Sequence, residues 1–137
     1  MKPAEIIKTA ADCLNPTEQD DRASGSVAAA IVTRHGDVFR GVCIDTACSM
    51  GFCAEHAAVA AMVTARQFQI AQVVAVTRDE RTNTLMVLRP CGRCREFMQQ
   101  IDRRNLDAEF VLGPDRVTTL SELLPARDAQ AAESPSG

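Results

Sequence analysis

Cys53-Ala54-Glu55 and, further along, Pro90-Cys91-Gly92-Arg93-Cys94 constrain this chain more than any other feature. They hold three sulfurs and one carboxylate in two short segments that must meet in the fold. Three protein ligands leave one corner of a tetrahedral zinc open to water, whereas four close it. Cys91 and Cys94 stand three positions apart, so on the first turn of a helix both sulfurs face the same way. Cys53 stands at the start of a second helix. Two helix N-termini then converge on the metal, and their partial positive ends favour thiolate over thiol. Glu55 is placed to move protons to and from the water without binding the ion. The competing reading is a closed structural site with His56 or another cysteine as fourth ligand, but such a site has no use for Glu55.

Three thiolates on Zn²⁺ still sum to about −1, which weakens the metal as a Lewis acid. A nearby cation would restore it. His56, Arg93 and Arg95 are the candidates, and Arg93, between two of the ligands, is the best placed.

At 137 residues the chain predicts one domain, over 1–126, with a tail at 127–137 rich in Ala, Ser and Pro that reads as disordered. Its net charge of −3 comes from interspersed acids and bases, unlike the basic stripe of a nucleic-acid binder. There is no run of about 18 apolar residues, so no membrane span is expected. Met1-Lys2-Pro3-Ala4-Glu5 lacks the cationic start and apolar middle of a secretory signal, pointing to the cytoplasm. Six cysteines without such a signal argue for metal and free thiols rather than disulfides. Cys13 reads as a small apolar residue on a helix, and Cys48 is left over, its role open. With no Trp or Tyr and only five scattered Phe, the composition suits a small pocket for one ring, not a surface stacking many bases.

Ile6, Ile7, Ala10 and Ala11 predict a helix over 3–14, ended by Asn15-Pro16. Residues 17–24 are polar and read as a loop. Residues 26–33 and 38–45 read as a hairpin about His35-Gly36-Asp37, followed by a loop over 46–52. The segment 53–67 predicts a helix that is apolar almost all round, and such a helix is buried on every side. That predicts a subunit contact as well as the sheet beneath it. Strands follow at 72–79 and 85–88, a helix over 91–103, and strands at 108–112 and 117–120. This order predicts a three-layer α/β/α domain with a mixed sheet.

The chain resembles the cytidine deaminase superfamily, including the small cytidine deaminases and blasticidin S deaminase. The resemblance rests on Ser26-Val27-Ala28-Ala29-Ala30, Gly36-Asp37-Val38-Phe39-Arg40-Gly41, Cys53-Ala54-Glu55, Pro90-Cys91-Gly92-Arg93-Cys94-Arg95 and Glu122-Leu123-Leu124-Pro125, all in the family's order. It implies a sheet of about five strands, one zinc per subunit on Cys53, Cys91 and Cys94, and Glu55 as proton shuttle. The expected reaction is hydrolytic removal of the cytosine 4-amino group from a free nucleoside or nucleoside-like compound. Cys53 stands where the nucleic-acid-editing branches use His, which aligns the chain with the free-nucleoside branch. That branch further implies a homo-oligomer, dimer or tetramer, with pockets shared between subunits.

The match departs where the sugar should be held. The family's Asn-x-Glu pair on the second strand is replaced by Cys43 and Asp45. Both positions still face one side of a strand, but cysteine is a poor hydrogen-bond partner. Gly25 or a neighbour stands where an aromatic is usual, and His56 where Arg is frequent. Asp45, Cys43, Ser26 and Ala54 are the candidate substrate-binding residues, and Arg93 and His56 the candidates for tempering the thiolates. The altered pair keeps a blasticidin-S-type or other divergent aminopyrimidine deaminase in view. An inactive zinc-stabilised binding module is the reading from a different class.

Overall fold

Apolar residues on both faces of consecutive strand positions demand cover on both sides of a sheet. The computed structural model describes residues 1–125 and meets that demand. The tail expected at 127–137 lies outside the described residues. The elements run α1 (Pro3–Ala11), β1 (Thr17–Gln19), β2 (Arg22–Thr33), β3 (Val38–Asp45), a 3-10 turn at Ala47–Ser49 and α2 (Ala54–Thr64). Then come β4 (Ile70–Arg78), β5 (Leu85–Leu88), α3 (Gly92–Ile101), a 3-10 segment at Arg103–Asp107, β6 (Glu109–Gly113), β7 (Arg116–Thr119) and α4 (Leu120–Leu123).

Strand β2 turns Ala28, Ala30 and Val32 to one face, where Ile6, Ile7 and Ala10 of α1 cover them together with Val74, Val76 and Val111. Its Ala29 and Ile31 face the other way, into a core with Val73, Ala75, Phe110, Ala58, Val59, Met62 and Met98. Helix α1 thus forms one outer layer, and α2 with α3 the other. The three-layer expectation holds.

Among the described residues the sheet has seven strands, more than the five or so expected. They nevertheless occupy five columns. Ala23 and Ser24 of β2 pair with β1 on one edge and β3 on the other, so β1 extends the edge that β4 uses further along. Ala75 pairs with both β2 and β5, and Val73 with both β2 and β6, so β5 and β6 share the far edge of β4. The β4–β6 pair is parallel and every other pair antiparallel, which makes the sheet mixed.

Residues 17–24 are not the expected loop. Thr17–Gln19 pairs with Arg22–Ser24, and Asp20 takes the turn at φ 53°. Three wholly exposed residues carry no alternation, so their strand is set by β2 alone. Helix α2 is covered by the sheet on one side only in the single chain. Ala54, Glu55, Ala58, Val59 and Met62 are buried, whereas Ala60 and Thr64 are exposed in the single chain.

Two contacts hold the helices that matter for the site. Asn105 is fully buried; its amide accepts from Ile70 N–H (2.7 Å) and donates to Phe68 and Met98 carbonyls (3.0 Å each), tying the end of α3 to the start of β4. Gly41 lets α2 lie directly on β3, because an added Cβ would stand 2.5 Å from Ala57 Cβ and from Ala58 N. Backbone cannot retreat as a flexible side chain can. Gly41→Ala is therefore expected to destabilise the fold by about 1–3 kcal/mol, read as a lower midpoint in urea unfolding.

Candidate metal centre

Cys53 and Cys91 occupy equivalent places: each is the N-cap of its helix, with φ,ψ of −70°,158° for Cys53 and −70°,163° for Cys91. Neither side chain caps its own helix. Both sulfurs are thereby free to turn toward a common centre, and Cys94, on the first turn of α3, joins them. Cys53 Sγ lies 3.6 Å from Cys91 Sγ, which lies 3.3 Å from Cys94 Sγ. All three fall within 4.8 Å of one another. A tetrahedral zinc with bonds of about 2.3 Å spaces its sulfurs about 3.8 Å apart, so the set fits one ion. Among the described residues, these three are the donors that converge in this way.

The electrostatics point the same way. Burial, then the nearby negative charge of Glu55, drive the Cys94 thiol far above its ordinary pKa. Burial, then the contact with Cys91, raise that of Cys53. Burial opposes the Cys91 thiolate too, but the Cys94 backbone N–H and the neighbouring thiols bring its pKa below the usual value. Two of the three thiols thus resist ionisation in the bare cluster. A divalent cation is what allows all three sulfurs to ionise.

Glu55 is 5% exposed and stands beside the cluster without joining its donor set. Burial raises its pKa, and its own backbone N–H partly opposes the rise. Among the described residues no cation pairs with it.

Cys53, Glu55 and Cys91 open onto a cleft of about 490 Å³. All four candidate substrate-binding residues, Ser26, Cys43, Asp45 and Ala54, line it as well. A β-bulge explains how. The β2–β3 register shifts between Ser24 and Ala28, releasing Ser26 and Val27 from the ladder at the cleft floor. Val27 N–H then donates to Cys43 Sγ (3.3 Å), and Ser26 Oγ lies 3.4 Å from the same sulfur. Cys43 is at once buried core and cleft lining. Beyond Asp45 the chain doubles back: Phe52 pairs with Ile44 through both backbone bonds (2.9 and 3.1 Å), delivering Cys53 to its place.

The cations divide. His56 leaves the cleft; its Nδ1 lies 3.4 Å from Cys94 Sγ and its ring stacks on Phe97 at 4.2 Å and 4°. Burial, then Arg93, lower its pKa. Arg93 lines the cleft. Arg95 is engaged elsewhere, donating to the Pro90 and Leu123 carbonyls (2.9 and 3.2 Å). Cys13 packs partly against the α1 core and Cys48 is exposed. Sequence reasoning missed Phe52 and Arg89 as cleft residues. Phe52 adjoins Cys53, and Arg89 stands just before the Pro90-Cys91 turn, so adjacency to a ligand was the available signal.

Residues 4–108 match the cytidine and deoxycytidylate deaminase zinc-binding region, and the chain belongs to that family. It is a zinc-binding, cytidine deaminase-like hydrolase. It is 28% identical over 127 residues to blasticidin-S deaminase of Bacillus cereus, across 90% of this chain and 89% of that one. The cytidine deaminase structure from Burkholderia pseudomallei is 27% identical and superposes with a TM-score of 0.72, covering 92% of this chain and 98% of its own. That from Bacillus anthracis, 19% identical with a TM-score of 0.74 over 94% and 91%, shares the fold.

Cys91→Ala is expected to lower bound zinc well below one per chain and to reduce the melting temperature, whereas Cys48→Ala leaves both unchanged. Metal analysis and thermal unfolding with and without a chelator check this.

Proposed function

We propose that the chain hydrolyses the 4-amino group of cytosine in a free nucleoside, cytidine or deoxycytidine, or in a nucleoside-like compound. Water is taken up and ammonia released. One observation carries the reading: a buried carboxylate, Glu55, faces the same cleft as the sulfurs of Cys53 and Cys91. Cys53, Cys91 and Cys94 would hold zinc, which when bound acidifies water enough to supply a nucleophile near neutral pH.

Glu55 is the proton carrier. It accepts one proton of the attacking water and delivers it to the ring nitrogen beside the amino-bearing carbon, then takes the remaining proton from the new hydroxyl and passes it to the amine, which departs as ammonia while the carbonyl forms. Its burial keeps bulk water from competing for that proton. Ser26 and the backbone at Ala54 border the ring, and Asp45 is the acceptor available to a substrate hydroxyl or cationic substituent. Arg93, in the cleft, tempers the thiolate charge, and His56, whose ring is pushed toward the neutral form, offers Cys94 a hydrogen bond rather than a charge.

A cleft of about 490 Å³ suits a single nucleoside. Among the described residues no helix is long and apolar enough to cross a membrane, and free cysteines accord with a reducing cytoplasm. The half-open α2, with Ala60 exposed, supports a homo-oligomer, dimer or tetramer, built on that helix. A blasticidin-S-type substrate is the second reading. It is favoured by Cys43, whose sulfur is engaged by Val27 and Ser26 and leaves Asp45 without a second acceptor beside it.

Glu55→Gln is expected to lower turnover by about 10²–10⁴ while zinc stays at one per chain; full activity in that variant excludes the assigned role. Ammonia release from cytidine, deoxycytidine, cytosine and blasticidin S, compared side by side, is expected to be fastest with a nucleoside and negligible with free cytosine.

A further inference from the structure

The three sulfurs of the metal centre are placed by unequal means. Cys94 is fully buried within α3. The approach to Cys53 is fixed by the paired backbone bonds between Phe52 and Ile44. Cys91 is exposed and has neither support. The ladder before it ends at the Leu88–Ala75 pair, and Pro90 has no N–H to offer. Among the described residues, no backbone–backbone bond reaches Arg89 or Pro90, and Cys91 takes part in one only through its carbonyl, with Arg95 N–H. Gly92 follows, with open space where a Cβ would stand. Pro90 is buried, but its ring fixes φ and leaves ψ free. Rotation about that ψ swings the Pro90 carbonyl and the Cys91 Cα together, because they share one peptide plane.

Arg95 stops this rotation. Its Nε donates to the Pro90 carbonyl at 2.9 Å and its Nη1 to the Leu123 carbonyl at 3.2 Å. Leu123 ends α4 and packs against the main core, so its carbonyl is a fixed anchor. A helix end leaves such a carbonyl without an internal partner. Arg95 follows Cys94 on α3, and its side chain therefore ties the exposed ligand to the helix that carries the buried one. The guanidinium is planar and charged, so it spans both oxygens in one geometry and strengthens both bonds. The result is a Cys91 Sγ held 3.3 Å from Cys94 Sγ and 3.6 Å from Cys53 Sγ.

We infer that Arg95 is a positioning residue of the metal centre: by clamping the Pro90 carbonyl to α3 and α4, it keeps Cys91 Sγ where one ion is shared with Cys53 and Cys94. Without the clamp Cys91 swings on an open turn while the other two sulfurs keep their places. This role rests on zinc binding by the three sulfurs and not on which substrate is deaminated.

The zinc-loaded full chain is compared with its Arg95→Gln and Arg95→Lys variants. Zinc affinity is read by competition with a chromophoric chelator. The number of bound sulfurs is read from the thiolate charge-transfer absorption of the Co²⁺-substituted protein. Arg95→Gln is expected to weaken zinc binding by about 10–100-fold. Its saturated Co²⁺ form is expected to absorb less than the parent's, as water takes the place of one thiolate. Arg95→Lys keeps the charge, but an ammonium cannot span both carbonyls, so its zinc affinity is expected between those of Arg95→Gln and the parent. Parental affinity in Arg95→Lys would show that Arg95 contributes charge alone and would overturn the inference. So would an unchanged Co²⁺ spectrum in Arg95→Gln, because Cys91 then reaches the ion without the clamp. Should Arg95→Gln not fold, the affinity and spectrum of Arg95→Lys decide by the same criteria. No substrate enters these measurements, so a failed clamp leaves the deamination reading standing, and failure of every cytosine compound to release ammonia leaves the clamp standing. A parent chain that holds no zinc overturns both.

Discussion

Three thiols crowded within the reach of one ion cannot all lose their protons unless a cation sits among them, and the rest of the molecule is arranged around that requirement. Cys53 and Cys91 reach the centre from matching N-cap positions, each with its helix's partial positive end behind it. Cys94 is fully buried and has the thiol most resistant to ionisation. The two helices can converge because they share one face of the sheet. Gly41 brings α2 down onto β3, and Asn105 fastens the far end of α3 to β4.

The cleft is shaped by irregularities in an otherwise regular sheet. Without the bulge in β2, Ser26 and Val27 would be held in the β3 ladder and the floor would be closed. The freed Val27 N–H is satisfied by a thiol rather than by a carbonyl, which gives Cys43 a role in packing and in the lining at once. The acid sits at the buried end of this cleft, and the charges nearer solvent are separated: a carboxylate on the β3 side, guanidiniums on the β5 side. Such a cavity orients a polar guest before any close contact is made.

Much of this was legible in the chain. The stripe of Ile6, Ile7 and Ala10, the Gly36 hairpin and the continuous apolar run of β4 each carry a periodicity that local packing obeys. The misses have physical causes. Strand β1 is wholly exposed and leaves no pattern; it exists because β2 offers it an edge. The helix over 3–14 stops at Ala11, and its last turn is replaced by looser backbone bonds before Asn15 reaches Gly25. The last strand, expected over 117–120, ends at Thr119, whose side chain accepts from Glu122 N–H and starts a short helix at Leu120.

Sequence spacing by itself determined the ligand set's chemistry: which sulfurs share a helical turn, which carboxylate stands beside them and which helices must converge. Those relations span only a few residues, so helix geometry dictates them. Tertiary structure alone decided that Ser26 touches Cys43, that Phe52 returns to Ile44 and that Asp45 lines the same cleft as Arg89 and Arg93. Each of these depends on strand register and on a bulge, and both are set by how distant segments pack, not by any pattern within one of them.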